Sequence, residues 1–188
     1  MTIINHSNEA KTLYAPSRIE GSEINAEQTI ASFPVVPKGE LANTSVERLN
    51  TLLANEYALF TKTLNYHWNV TGPRFHAIHE FLGDHYHALL EVIDDVAERI
   101  REIDAVPIGT LSEMLKTTTL VERPGIQPDT TTMLENLMSD HKTIEEQIKR
   151  DLKILNATGD DPATEDYLTS LLKKHEEMSW MLKSHIEQ

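Results

Sequence analysis

The stretch from Phe75 to Ala105 constrains this chain most, because apolar residues recur at Ile78, Phe81, Leu82, Leu89, Val92, Ile93, Val96 and Ile100 with acids and histidines between them and no proline. That spacing is the period of an α-helix with one apolar face. Asp94 and Glu98, four apart, fall on one side of it. His79 lies on the same helix fifteen residues before Asp94, roughly 22 Å along the axis at 1.5 Å per residue. A metal–ligand bond reaches only about 2.0–2.2 Å, so these groups cannot hold one metal within a single chain. His67 ends the preceding helical stretch, and Gly72-Pro73 makes a turn that folds it back beside His79. One chain therefore offers a histidine pair and a distant carboxylate pair. Two copies packed antiparallel about a twofold axis bring the histidines of one to the carboxylates of the other, and an isologous interface does this twice. The plainer roles for the same residues are a solvated acidic face and histidines that cap or pack near a hairpin.

The rest of the chain reads as helices around that one. A first helix is predicted from about Ser45 to Val70, with Leu49, Leu52, Leu53, Tyr57, Leu59, Phe60 and Leu64 on its apolar face. The second runs from about Phe75 to Asp104. Pro107 and Gly109 then break the chain, and Ser112 to Lys116 form a short helix in a long connection. The third long helix spans about Thr130 to Leu155. Gly159-Asp160-Asp161-Pro162 supplies a loop, an N-cap in Asp161 and a proline suited to a first helical turn. The last helix fills Thr164 to Glu187. Residues 1–43, rich in Asn, Ser, Glu, Pro and Gly, read as an N-terminal tail, and 44–188 as one all-α domain. The long connection between the second and third helices fits a four-helix bundle of ferritin-like topology.

Composition narrows the function classes. With 188 residues, 39% of them hydrophobic and none cysteine, the chain can bury a core without disulfides. Its first residues show neither a secretory signal nor a membrane span, so a cytoplasmic protein with no membrane partner is expected. No glutamate stands three residues before any histidine, which disfavours a di-iron site of paired Glu-x-x-His motifs inside the bundle.

The run Lys62-Thr63-Leu64-Asn65-Tyr66-His67-Trp68-Asn69-Val70-Thr71-Gly72-Pro73-Arg74-Phe75, then His79-Glu80, then Asp94-Asp95-Val96-Ala97-Glu98-Arg99-Ile100, strongly resembles the Dps family of mini-ferritins. Pro107-Ile108-Gly109-Thr110-Leu111 and Val121-Glu122-Arg123-Pro124-Gly125 look like that family's linking segment, and the likeness covers roughly Ser45 to Ile186. The resemblance implies a ferroxidase that stores iron. Asp94 and Glu98, with His67 of the partner subunit, would bind a first iron, and Glu98 would bridge toward a second near His79. It implies hydrogen peroxide as the preferred oxidant, oxygen as another acceptor, and ferric mineral kept in a hollow shell of twelve subunits. Mixed imidazole and carboxylate ligands with open positions suit ferrous iron, and zinc is the rival occupant.

Other residues take secondary parts in that picture. Trp68 and Tyr66 flank His67, and the resemblance implies that they intercept stray oxidising equivalents; simple packing is the alternative. His87, seven before Asp94, is an auxiliary candidate near the site. His76 and His85 read as surface or interface groups. His141, His175 and His185 read as ordinary structural groups, and His6 lies in the tail. Asp160, Asp161, Glu165 and Asp166 stand near where the family places its acidic iron-entry pores, though Asp161 serves equally as a helix cap. Glu80 and Asp84 are candidates to seed mineral, while Gly83 departs from relatives that carry an acid there.

DNA binding, the family's other activity, is disfavoured by charge. Nonspecific affinity for DNA comes from Lys and Arg neutralising phosphates. Residues 1–40 carry Lys11, Arg18 and Lys38 against Glu9, Glu20, Glu23, Glu27 and Glu40, and the whole chain has a formal charge of −13. The alternative of a nucleoid-binding architectural particle with secondary metal binding therefore fits less well than the ferroxidase cage.

Overall fold

The structure, a computed structural model, describes residues 40–159 and 161–186. The expected tail up to residue 39, His6 within it, and Asp160 lie outside the described residues. The described part is helical: α1 Glu40–Asn69, α2 Phe75–Glu102, α3 Leu111–Thr117, α4 Thr130–Thr158 and α5 Pro162–Ile186. α1 begins at Glu40, earlier than the Ser45 expected, because the apolar period marks where a helix acquires a buried face and not where its backbone bonds begin. α4 likewise continues three residues past Leu155 and ends on Gly159 in the left-handed conformation, φ 66°.

Three polar contacts settle the topology. Thr130 at the start of α4 donates its hydroxyl to the carbonyl of Thr71 in the α1–α2 turn, at 2.8 Å. Arg74 in that turn donates to the carbonyl of His185 near the end of α5, at 2.9 Å. Arg99 near the end of α2 meets Asp161 at the start of α5, at 2.9 Å. α1 and α4 are thus antiparallel, as are α2 and α5. The connection between α2 and α4 must therefore run back along the bundle. α1 packs chiefly on α2 and α4 chiefly on α5, with α1 also against α4 and α3.

Leu49, Leu52 and Leu59 of α1, Leu82 and Leu89 of α2, Leu134, Leu137 and Ile144 of α4, and Leu182 of α5 are almost wholly buried between the four long helices. Each such side chain contributes about 1.5–3 kcal/mol. The crossover is tied down by polar side chains. Asn55 accepts from Thr118 Oγ1 and Thr119 N–H at 2.8 and 2.7 Å and donates to Gln147 at 2.6 Å. Lys62 donates to the Val121 carbonyl at 2.8 Å and pairs with Asp140 at 2.5 Å. A capping box between Thr110 and Glu113 starts α3.

Candidate metal centre

His67 sits in the last turn of α1 and His79 in the first turns of α2, so the short connection between the helices stacks their rings, with centroids 3.8 Å apart and planes at 21°. The two residues lock each other. His67 Nδ1–H donates to the His79 carbonyl at 2.7 Å, and His79 Nδ1–H donates to the His67 carbonyl at 2.8 Å. A carbonyl oxygen only accepts, so the proton of each neutral ring stays on Nδ1 and each Nε2 keeps its lone pair. The second contact also satisfies a carbonyl that α1, ending two residues later, leaves without an intrahelical partner. This is the arrangement that fixes tautomer and ring orientation in a metal-binding histidine.

Gly83 lies against the His67 ring. It lies one turn after His79, and a Cβ added there would come within 3.5 Å of His67 Cε1. The position read from sequence as bearing on mineral nucleation lies beside the His67 ring. Phe75 stacks on the other side of His79, with centroids 5.1 Å apart, and Tyr86 meets His67 edge-on at 5.2 Å.

Asp94 and Glu98 are exposed, farther along the same unbroken helix. The fifteen residues from His79 to Asp94 keep the two pairs roughly 22 Å apart along α2. The structure brings the histidines together and leaves the carboxylates away from them. No three His, Asp or Glu groups gather at metal-binding distances among the described residues of one chain.

The secondary candidates divide. Trp68 is 66% exposed and does not pack in the core of the chain. Tyr66 is buried, accepts from Asn136 Nδ2 at 3.1 Å, and burial pushes its phenol up. His87 is exposed, with its Nδ1–H given to the Gly83 carbonyl at 2.8 Å. Glu80 pairs with His76 across one turn at 3.4 Å, and Asp84 is exposed. Asp161 caps α5 through the Thr164 N–H at 3.1 Å and pairs with Arg99. Burial opposes its ionisation, but the Thr164 bonds and the Arg99 guanidinium outweigh this and hold its carboxyl below the usual range. Glu165 is half-buried and Asp166 exposed in the first turns of α5.

Three histidines outside the His67–His79 pair lie in the core, and for one of them, His85, this differs from the surface or interface position expected. His85, expected at a surface or interface, is 4% exposed, and His141 and His175 are wholly buried beside Glu56 in the bundle centre. Their positions carried a signal. Glu56 falls among Leu52, Leu53 and Leu59, and His141 between Leu137 and Ile144, which are core positions in a helical period.

Residues 46–188 match the ferritin-like domain family. A DNA protection during starvation protein of Bacillus anthracis is 32% identical over 143 residues, covering 76% of this chain and 97% of that protein. The chain belongs to the Dps family. An uncharacterized low temperature-induced protein of Nostoc sp. (strain PCC 7120) is 42% identical over 146 residues, covering 76% of this chain and 79% of that protein. Among solved structures, DpsC from Streptomyces coelicolor superposes with a TM-score of 0.76 at 30% identity, over 84% of this chain and 91% of that one. The all-helical, ferritin-like architecture of this Dps-family chain is therefore shared with its relatives.

Proposed function

We infer that this Dps-family chain oxidises ferrous iron at sites formed between subunits and keeps the ferric product inside a hollow homo-oligomer of twelve copies. The observation that carries this reading is the reciprocal lock between His67 and His79, which leaves two Nε2 lone pairs available where the described residues of the same chain gather no carboxylates to complete a metal site. Asp94 and Glu98, exposed on α2 of a second copy, are the complementary ligands. Family membership supports iron storage and protection against oxidation as the general activity. Exposed Trp68, Leu90 and Trp180, at 66%, 50% and 65%, are apolar surface that an assembly would cover.

Iron is here the substrate, two ions to a site. Each ferrous ion gives one electron to one hydrogen peroxide, the O–O bond breaks, and two protons complete two waters, so no hydroxyl radical is released. The imidazoles favour the entering ferrous ion, and the carboxylates favour the harder ferric product. Zinc fits the same donors and competes with iron there. The negative charge of −13 per chain favours attraction of cations over binding of DNA.

The experiment is ferrous oxidation by stoichiometric peroxide, followed by ferric absorbance, in the parent and in an assembled Asp94→Ala/Glu98→Ala variant. Rapid formation of soluble ferric product in the parent and its loss in the variant support the reading. Equal rates in both would sink it.

A further inference from the structure

The histidine pair belongs to a longer column of rings. Phe75 stacks on His79 with centroids 5.1 Å apart, His79 stacks on His67 at 3.8 Å, and Tyr86 meets His67 at 5.2 Å with planes at 69°. Phe60 stands beyond Tyr86, at 6.2 Å and 72°. Helical period explains the order. His79 and Tyr86 are seven residues apart on α2, and Phe60 and His67 are seven apart on α1, so each pair shares a face. The short turn sets the two helices side by side, and these faces meet. Gly83, between His79 and Tyr86, puts no side chain against His67.

The reciprocal Nδ1 bonds settle the tautomers but leave one freedom. A ring held at Nδ1 alone can tilt about that bond, and the tilt carries Nε2, on the far side of the ring, away from a metal. For His79 the faces of Phe75 and His67 oppose such a tilt. For His67 the corresponding neighbours are His79 and Tyr86. Tyr86 is itself held, half-buried between Phe60 and the His87 ring, whose centroid is 4.1 Å away and whose Nδ1–H is given to the Gly83 carbonyl. Tyr66, next to His67 in the chain, instead sets its hydroxyl against Asn136 at 3.1 Å. The ring that touches His67 from the side thus comes from the other helix.

We propose that Tyr86 is a positioning residue for the metal site: its ring limits the tilt of the His67 imidazole and so sets how tightly the histidine pair takes a divalent transition-metal ion. This role rests on the intersubunit reading, which makes His67 a ligand. A ligand already held in its bound orientation loses less freedom on binding, and the difference appears as affinity. The ring and not the hydroxyl does this, since the contact with His67 is between rings.

The test is anaerobic titration of the assembled full-length protein with cobalt(II), followed by the visible absorption of the bound ion. Cobalt(II) accepts the same imidazole and carboxylate donors as ferrous iron. The binding to be compared is the part that His67→Ala removes. Tyr86→Phe keeps the ring and should bind within about twofold of the parent. Tyr86→Leu removes it and should weaken binding about three- to tenfold, with the number of ions per chain unchanged. Tyr86→Met, which keeps bulk without an aromatic face, should show the same loss and serves where the leucine variant fails to assemble. Phe81→Leu controls for lost packing alone, because Phe81 is buried on the same helix against His85 and His185. It should lower thermal stability and leave cobalt affinity within about twofold. Unchanged affinity in Tyr86→Leu and Tyr86→Met would overturn the proposal, as would an equal loss in Tyr86→Phe or in Phe81→Leu. Cobalt binding that His67→Ala leaves intact would overturn the intersubunit reading as well.

Discussion

His67 and His79 hold each other in place, each giving its Nδ1–H to the other's main-chain carbonyl, at 2.7 and 2.8 Å. The pair is pre-organised within one chain, whereas Asp94 and Glu98 are carried away from it by α2. A mixing experiment follows from that division. A His67→Ala/His79→Ala subunit and an Asp94→Ala/Glu98→Ala subunit, each inactive when assembled alone, should regain activity when co-assembled in equal amounts. Half of random pairs are mixed and each mixed pair rebuilds one of its two sites, so ferroxidase activity should return to about a quarter of the parent value. A co-assembled sample that stays at background would place the site elsewhere.

Gly83 offers a gain of function. Its added Cβ would make ordinary contact with His67, at 3.5 Å, so an alanine there costs no steric clash and removes the flexibility of a mid-helix glycine. Gly83→Ala should raise stability by about 0.5–1 kcal/mol, read from thermal unfolding. Gly83→Asp sets a carboxylate beside the histidine pair and should tighten ferrous binding several-fold in anaerobic titration. Unchanged affinity in the aspartate variant would show that this face of α2 does not reach the metal.

Acid should weaken the fold through His85. Burial lowers its protonation from 6.5 in the unfolded chain to about 4 in the folded one. Between those values the unfolded state binds the extra proton, so this contribution to stability is complete above about pH 6.5 and is lost as pH falls toward 4. The separation is worth on the order of 3 kcal/mol, and His141 shifts in the same direction. Unfolding midpoints measured from about pH 7 to about pH 4 should fall across this window, and His85→Gln should flatten the fall. A slope that the variant leaves untouched would assign the acid sensitivity to other groups.

Asp161 joins two helices by capping α5 and pairing with Arg99, whose Nε also donates to Thr164 at 2.9 Å. Asp161→Ala should cost about 1–2 kcal/mol and lower the midpoint by several degrees. Asp161→Asn keeps the cap and should recover much of that loss. Iron uptake separates the two roles suggested by its sequence position: uptake that stays slow in the stable asparagine variant would indicate a place in the entry path, and normal uptake a cap alone.

The long helices were legible because leucines and isoleucines at helical spacing have only one way to leave water, and Pro73, Gly109 and Gly159 interrupt the pattern where the chain turns. Helix ends were less legible. The first residues of α1 precede its apolar face, so nothing in the period announces them. The separation of His79 from Asp94 was also readable, because the rise of a helix converts sequence distance directly into length.

Glu56, His141 and His175 were a different matter. Each stands at a core position of its own helix, which is visible locally, but what it meets there is set by residues far away in the chain. His175 Nε2 comes within 2.9 Å of Glu56 only after α1 and α5 are packed into one bundle. The same holds for Gly83, whose absent side chain acquires meaning from the His67 ring across the turn. The amino-acid sequence by itself determined the helices, their order and the distance between the two ligand pairs, since these depend on near-neighbour periodicity. Only the tertiary structure decided the histidine tautomers and the polar bundle centre, since hydrogen bonds and buried charges depend on which faces meet.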